Sequence, residues 1–220
     1  MYYLRFPIVA GGLLLVSISM CAVAATLPIY DQRGNLLSDA VVKVDDVVQR
    51  PVVLPLIDQM DRQFQPSVLV VPTGTDVEFS NSDDVRHHVY SFSATKSFDL
   101  PLLESTGSRS VTFDQSGLVV LGCNIHDTMI GYILVTDSPW YAISDADGSL
   151  DLNHLSPGER SVSWWHPSLG DSAPVSLGNI DLHALQRLDL AVGELAEVAA
   201  DKSLSTLQMR FNKAAEKHAD

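Results

Sequence analysis

Apolar and polar positions in this 220-residue chain follow one another mostly with a period of two, in short runs cut by turn signals. Ser67-Val68-Leu69-Val70-Val71 is an apolar run closed by the turn Pro72-Thr73-Gly74-Thr75. Val77 and Phe79 alternate with polar neighbours before the loop Asn81-Ser82-Asp83-Asp84. Residues 87–93 predict another strand, and Phe98-Asp99-Leu100 starts the next. Val111-Thr112-Phe113 and the run 118–121 flank the turn Asp114-Gln115-Ser116-Gly117, and 130–135 closes the block. On one side of the block, Leu27-Pro28-Ile29-Tyr30 and residues 40–44 predict two strands around the turn Asp31-Gln32-Arg33-Gly34. On the other side, Leu150-Asp151-Leu152 and residues 160–165 predict two more. They are separated by Ser156-Pro157-Gly158 and preceded by the turn Asp145-Ala146-Asp147-Gly148. Short strands at this spacing predict an all-β, antiparallel sandwich or barrel. Only the tail reads as helix, with Leu204, Leu207, Phe211 and Ala214 on one face at intervals of three, four and three.

The first 24 residues carry a different pattern. Met1-Tyr2-Tyr3-Leu4-Arg5 holds one positive charge, residues 6–23 are apolar, and Ala22-Val23-Ala24 matches an A-x-A cleavage signal. Cleavage after Ala24 and export to the periplasm are expected. The rival is an uncleaved anchor, since the run approaches the roughly 20 residues that span a bilayer. No later apolar run reaches that length. Without the leader, 196 residues remain, enough for one large or two small domains. Arg5 leaves with it, so 13 basic residues face 27 acidic ones, a net charge of −14. Such a surface argues against nucleic acid and anionic lipid and favours a basic partner.

Cysteine use narrows the chemistry further. The leader removes Cys21 and leaves Cys123 alone, so no intramolecular disulfide can form. A lone thiol in an oxidising compartment must be buried or ligated to escape oxidation. Cys123-Asn124-Ile125-His126-Asp127-Thr128-Met129 is a C-x2-H-x2-M loop between two apolar strands, and His87-His88 heads another strand upstream. A thiolate and two imidazoles, with a weak axial thioether, suit both Cu(I) and Cu(II). That geometry is borrowed from known electron-transfer copper sites and is not deduced from the spacing. A loop with five intervening residues must double back for His126 and Met129 to face one ion, and Gly122 and Gly131 allow tight turns or close approach there. His87 and His88 face opposite sides of their strand, so only one of them can join the site. His154, His166, His183 and His218 have no mutual spacing that suggests a site. Trp140, Trp164 and Trp165 read as packing, and Met60 shows no ligand spacing. No nucleophile–histidine motif, phosphate loop or paired-carboxylate signature stands out.

Residues 64–136 resemble the cupredoxins, plastocyanin and amicyanin in particular. The resemblance is carried by Asn81, His87 and the run from Ser116 through Cys123, His126 and Met129 to Ile133. The loop is similar to the shorter, amicyanin-like version, without a proline before His126. The resemblance implies a Greek-key β-sandwich with one copper ion held by His87, Cys123, His126 and Met129. It also places His88 where the family has an asparagine that braces the ligand loop, a departure from the family pattern. His88 as ligand in place of His87 is the alternative. Over its whole mature length the chain resembles the exported bacterial proteins often labelled "methylamine utilization protein". The flanks, Gly34 to Val42 and Asp145 to Pro167, resemble a carboxypeptidase regulatory-like sandwich.

The expected layout is a signal peptide at 1–24, a first part of an outer β-sandwich at 25–51 and a cupredoxin domain at 52–137. A second part of the outer sandwich follows at 138–192, then a helical tail at 193–220. The function this implies is an exported type 1 copper protein, not an enzyme, cycling Cu(I)/Cu(II). It would carry single electrons to or from a c-type cytochrome or an exported dehydrogenase. The alternative is a non-redox interaction, copper storage or delivery protein whose outer sandwich binds a partner, as carbohydrate-binding-like modules do.

Overall fold

A computed structural model describes residues 25–45, 54–126 and 128–192. The leader at 1–24, the tail helix expected at 193–220 and Asp127 of the ligand loop lie outside the described residues. Within them the chain is nearly all β. The strands are β1 (Thr26–Asp31), β2 (Val41–Val44), β3 (Leu56–Met60), β4 (Gln63–Gln65), β5 (Val68–Pro72) and β6 (Thr75–Asn81). They continue with β7 (Val89–Phe92), β8 (Ser97–Asp99), β9 (Ser108–Phe113), β10 (Gly117–Cys123) and β11 (Ile130–Thr136). The last five are β12 (Trp140–Ile143), β13 (Ser149–Asp151), β14 (Arg160–Trp165), β15 (Val175–Ile180) and β16 (Leu188–Leu190).

Strands β3 to β11 build an inner sandwich from two sheets, in the orders β5-β11-β10-β7-β8 and β4-β3-β6-β9. Most neighbours are antiparallel, as the turn spacing predicts, but β5 with β11 and β3 with β6 run parallel. Parallel neighbours cannot be joined by a tight hairpin. The β5–β11 pair is separated by five intervening strands, so local turn signals carry no trace of it.

The remaining strands form two further sheets, β13-β1-β16 and β12-β2-β14-β15. Strand β2, before the inner sandwich, pairs along its length with β12, after it, from Val44↔Trp140 to Val41↔Ile143. The inner sandwich therefore leaves and rejoins the outer one through neighbouring strands.

Strand β5 explains how the two sandwiches meet. Val68, Leu69, Val70 and Val71 are all buried, and a strand sends successive side chains to opposite faces. Leu69 and Val71 enter the inner core with Val119, Leu121 and Ile133. Val68 and Val70, with Leu134 of β11, join the outer core beside Trp164 and Trp165. Fully burying one such aliphatic side chain contributes about 1.5–3 kcal/mol. An apolar run with no polar alternation is what a strand covered on both faces requires. Tyr132 of β11 also lies against Trp165, with ring centroids 5.0 Å apart. Trp140, Trp164 and Trp165 are all core residues, the packing role that their sequence context suggests.

Candidate metal centre

Three elements converge at one end of the inner sandwich. Along 87–92 the burial alternates, with His87, Val89 and Ser91 fully enclosed and His88, Tyr90 and Phe92 partly exposed. In β10, Val119, Leu121 and Cys123 face the same core. Cys123 pairs directly with Val89, so His87, two residues before Val89, lies just beyond the thiol on the same face. The chain then turns through Asn124 and Ile125 to His126, and the Met129 N–H donates to the His126 carbonyl at 2.9 Å. This bond folds the loop back and delivers Met129 to β11.

The result is a triangle of donors. Cys123 Sγ is 3.7 Å from His87 Nδ1 and 3.7 Å from His126 Nδ1, and the rings of the two histidines lie 5.0 Å apart. All three donor atoms fall within 4.8 Å of one another. Bonds of ~2.0 Å to nitrogen and ~2.3 Å to sulfur, set at 120°, place such donors about 3.7 Å apart. The triangle therefore has the spacing of a group that could hold a metal ion. Met129 is 2% exposed and shares with Cys123 the wall of an apolar cavity of about 120 Å³. His87 is wholly enclosed, whereas His126 is partly open to solvent.

His88 is elsewhere. Its Nε2 is hydrogen-bonded to the Asp99 carboxylate of β8, and its ring lies near Tyr90 on the outer face of the sheet. Asn81, which is 1% exposed, braces the loop that leads into His87. Its side-chain amide donates to the Val85 and Leu103 carbonyls, each at 2.9 Å, and its oxygen accepts the Asp83 N–H at 3.0 Å. His87 exchanges two backbone hydrogen bonds with Leu103, so its main chain is held from both sides.

Gly122 and Gly131 serve close approach and do not turn the chain. Both lie inside strands, and a Cβ on Gly122 would sit 2.7 Å from the Tyr90 ring, while one on Gly131 would sit 3.0 Å from Phe64. One participant escaped the sequence. Asp83 Oδ2 lies 2.9 Å from His87 Nε2, and its carboxyl is held below the usual carboxylate range, first by the Arg62 backbone N–H and then by the His87 ring. In the sequence it is one of two consecutive aspartates in a polar loop, and no spacing rule singles it out.

Of the other histidines, His166 caps the short turn Pro167–Leu169 and His183 Nε2 bonds the Leu155 carbonyl. His154 sits in a turn at φ 72°, and His218 lies outside the described residues. Met60 is exposed at the end of β3.

The fold and site thus define a two-sandwich β protein with a His–Cys–His group at one end of the inner sandwich. No family model and no curated protein matches the chain. Among solved structures it is similar in part to cupredoxins. A purple cupredoxin from Nitrosopumilus maritimus matches at 24% identity over 37% of this chain and 98% of its own, with a TM-score of 0.34. An oxidised proline-to-alanine variant of amicyanin matches at 21% identity over 37% of this chain and 80% of its own, with a TM-score of 0.35. The copper-containing nitrite reductase NirK from Thermus scotoductus SA-01 matches at 30% identity over 43% of this chain, with a TM-score of 0.36. The matched region spans only 25% of that reductase.

Proposed function

We propose that this chain is an exported, periplasmic type 1 copper protein that carries single electrons between redox partners and makes or breaks no substrate bond. The observation that carries this reading is the donor triangle of His87, Cys123 and His126, with the buried Met129 lining the same cavity as Cys123. A soft thiolate, two imidazoles and a weak thioether are the donors that tolerate both oxidation states of copper. Bound copper would supply a one-electron couple. The residues around it supply rigidity and access. Cys123 ends strand β10, His87 is tied to Leu103 by two backbone hydrogen bonds, and both are enclosed, so the donor positions need not move when the charge changes. His126 is the partly exposed member and would be the port for the electron. Large apolar side chains are exposed beside the ligand loop: Ile125 and Ile130 in its own chain, and Leu102, which shares a shallow cavity with Ile125. Such a surface suits a brief, apolar contact with a partner.

The visible spectrum of the purified, copper-loaded mature protein tests the reading. Intense absorption with rapid reversible reduction supports it. A colourless protein that binds Cu(I) and hands it on supports storage or delivery instead. Met129→Leu should keep the colour and raise the reduction potential, because a thioether would be the weakest of the four ligands and its loss would leave Cu(I) the better served state. A potential unchanged by that substitution would remove Met129 from the ligand set.

The partner we infer is a basic c-type cytochrome or an exported dehydrogenase with a basic face. With −14 on residues 25–220, encounter is steered by charge. Exposed charges are screened within about 10 Å at ~0.1 M salt. Bimolecular electron transfer with a basic cytochrome should slow several-fold from low to physiological salt, while transfer inside the complex changes far less. Stopped-flow rates flat or rising with salt would point to a neutral or acidic partner.

A further inference from the structure

We infer that Asp83 is a positioning residue for the copper centre, fixing His87 in the Nε2–H tautomer and lending that ligand a negative charge. The inference rests on the copper reading above, but its geometry stands by itself. An ionised carboxylate only accepts, so the 2.9 Å contact between Asp83 Oδ2 and His87 Nε2 requires the hydrogen on Nε2. The lone pair is then left on Nδ1, the atom that faces the Cys123 sulfur at 3.7 Å. Which nitrogen of a ligand histidine meets the metal is commonly set in this way, by what the other nitrogen bonds.

The carboxylate is itself held firmly. The same Oδ2 accepts the Arg62 N–H at 3.0 Å, Oδ1 accepts the Asp84 N–H at 3.2 Å, and the Asp83 N–H donates to Asn81. The Asp83 side chain is 13% exposed and that of His87 is fully enclosed, so water screens the contact little.

A second observation concerns the turn that supplies Arg62. Met60 pairs with Gln63, so Asp61 and Arg62 form a two-residue hairpin loop between β3 and β4. Both have positive φ, 54° and 58°, the backbone of a tight hairpin turn usually filled by glycine or asparagine. An arginine in this conformation is uncommon. Here the conformation aims the Arg62 N–H at the oxygen that also receives the His87 ring. Backbone held in a sparsely populated region beside a site is consistent with a role in holding that site in place.

The predicted effect follows from charge. A nearby anion favours Cu(II) over Cu(I), since the oxidised centre is more positive by one unit. Asp83→Asn keeps the size and one acceptor oxygen but removes the charge. In copper-loaded protein at fixed neutral pH, Asp83→Asn should keep the visible band while the ratio of Cu(II) to Cu(I) affinity falls about tenfold. For a one-electron couple that is a rise in potential of about 59 mV. A blue variant with the wild-type potential overturns the charge role. The tautomer is read without metal, by nitrogen–proton correlation spectra of the apoprotein above the imidazole titration range. The wild type should show His87 as Nε2–H, and Asp83→Ala should show a mixture. Nδ1–H in the wild type overturns the positioning role. If the wild type never binds copper, the copper reading falls, and the tautomer result still decides whether Asp83 orients His87.

Discussion

Cys123→Ser should lose the intense visible absorption of the oxidised, copper-loaded protein completely, while the two sandwiches remain folded. The band of a thiolate-ligated Cu(II) arises from charge transfer out of sulfur, and a serine hydroxyl is a hard donor with no orbital of comparable energy. It also binds Cu(I) poorly, so the affinity that spans both oxidation states is lost as well. Cys123 is 3% exposed at the end of β10, with Leu121 and Val119 below it in the same core. Replacing sulfur by oxygen there removes one polarisable contact and buries a hydroxyl. The cost of leaving such a group unpaired is about 1–3 kcal/mol. The imidazole nitrogens of His87 and His126 stand on either side at 3.7 Å and offer it partners after a small adjustment. That cost is small against the core built by Phe64, Phe79 and Phe113, all within 2% of complete burial. Visible absorption and far-ultraviolet circular dichroism on one sample separate the two effects. An intact band in the serine variant would sink the copper assignment, and a lost fold would recast Cys123 as a structural residue.

What the sequence revealed depended on how local each feature is. Except for β8, which has no buried residue, the strands from Val68 to Thr136 show as alternation or as apolar runs because each buries side chains of its own. Strand β4 is only Gln63-Phe64-Gln65, with one buried side chain, and β16 is Leu188-Asp189-Leu190, so neither gives a period to read. Strand β15 has no buried residue, carries a glycine at φ 77°, and pairs across a register shift with β14. The parallel β5–β11 pair escaped because no turn joins its members. The C-x2-H-x2-M loop was legible because one turn of chain carries three chemistries. His87 could be separated from His88 by the period of two, since only alternate residues face the inner core. Asp83 was invisible for the opposite reason. It reaches His87 through a loop shaped by Asn81 and by the β3–β4 turn, and no pattern in the residues themselves encodes that approach.

The same burial difference sets the outcome of opening the site. His87→Gly and His126→Gly should each lose copper and colour, since each removes one of three strong donors. Added imidazole should restore the colour of His126→Gly and leave His87→Gly colourless. The His126 ring is partly open to solvent, and the loop that carries it runs beside the exposed Ile125. Deleting its side chain creates a hole that a free imidazole can enter from water. His87 is enclosed on every side, and its backbone is tied to Leu103 by two hydrogen bonds. A hole there opens into the protein between Asp83 and the thiol. An imidazole must cross packed structure to fill it, and close packing resists that entry. His88→Gly should keep both copper and colour throughout, because its ring bonds Asp99 on the far face of the sheet. Titrating each variant with copper and then with imidazole, followed in the visible range, checks all three outcomes. Equal rescue of the two ligand variants would mean that the His87 side of the site opens to solvent as readily as the His126 side. Loss of colour in His88→Gly alone would move the ligand to the neighbouring residue.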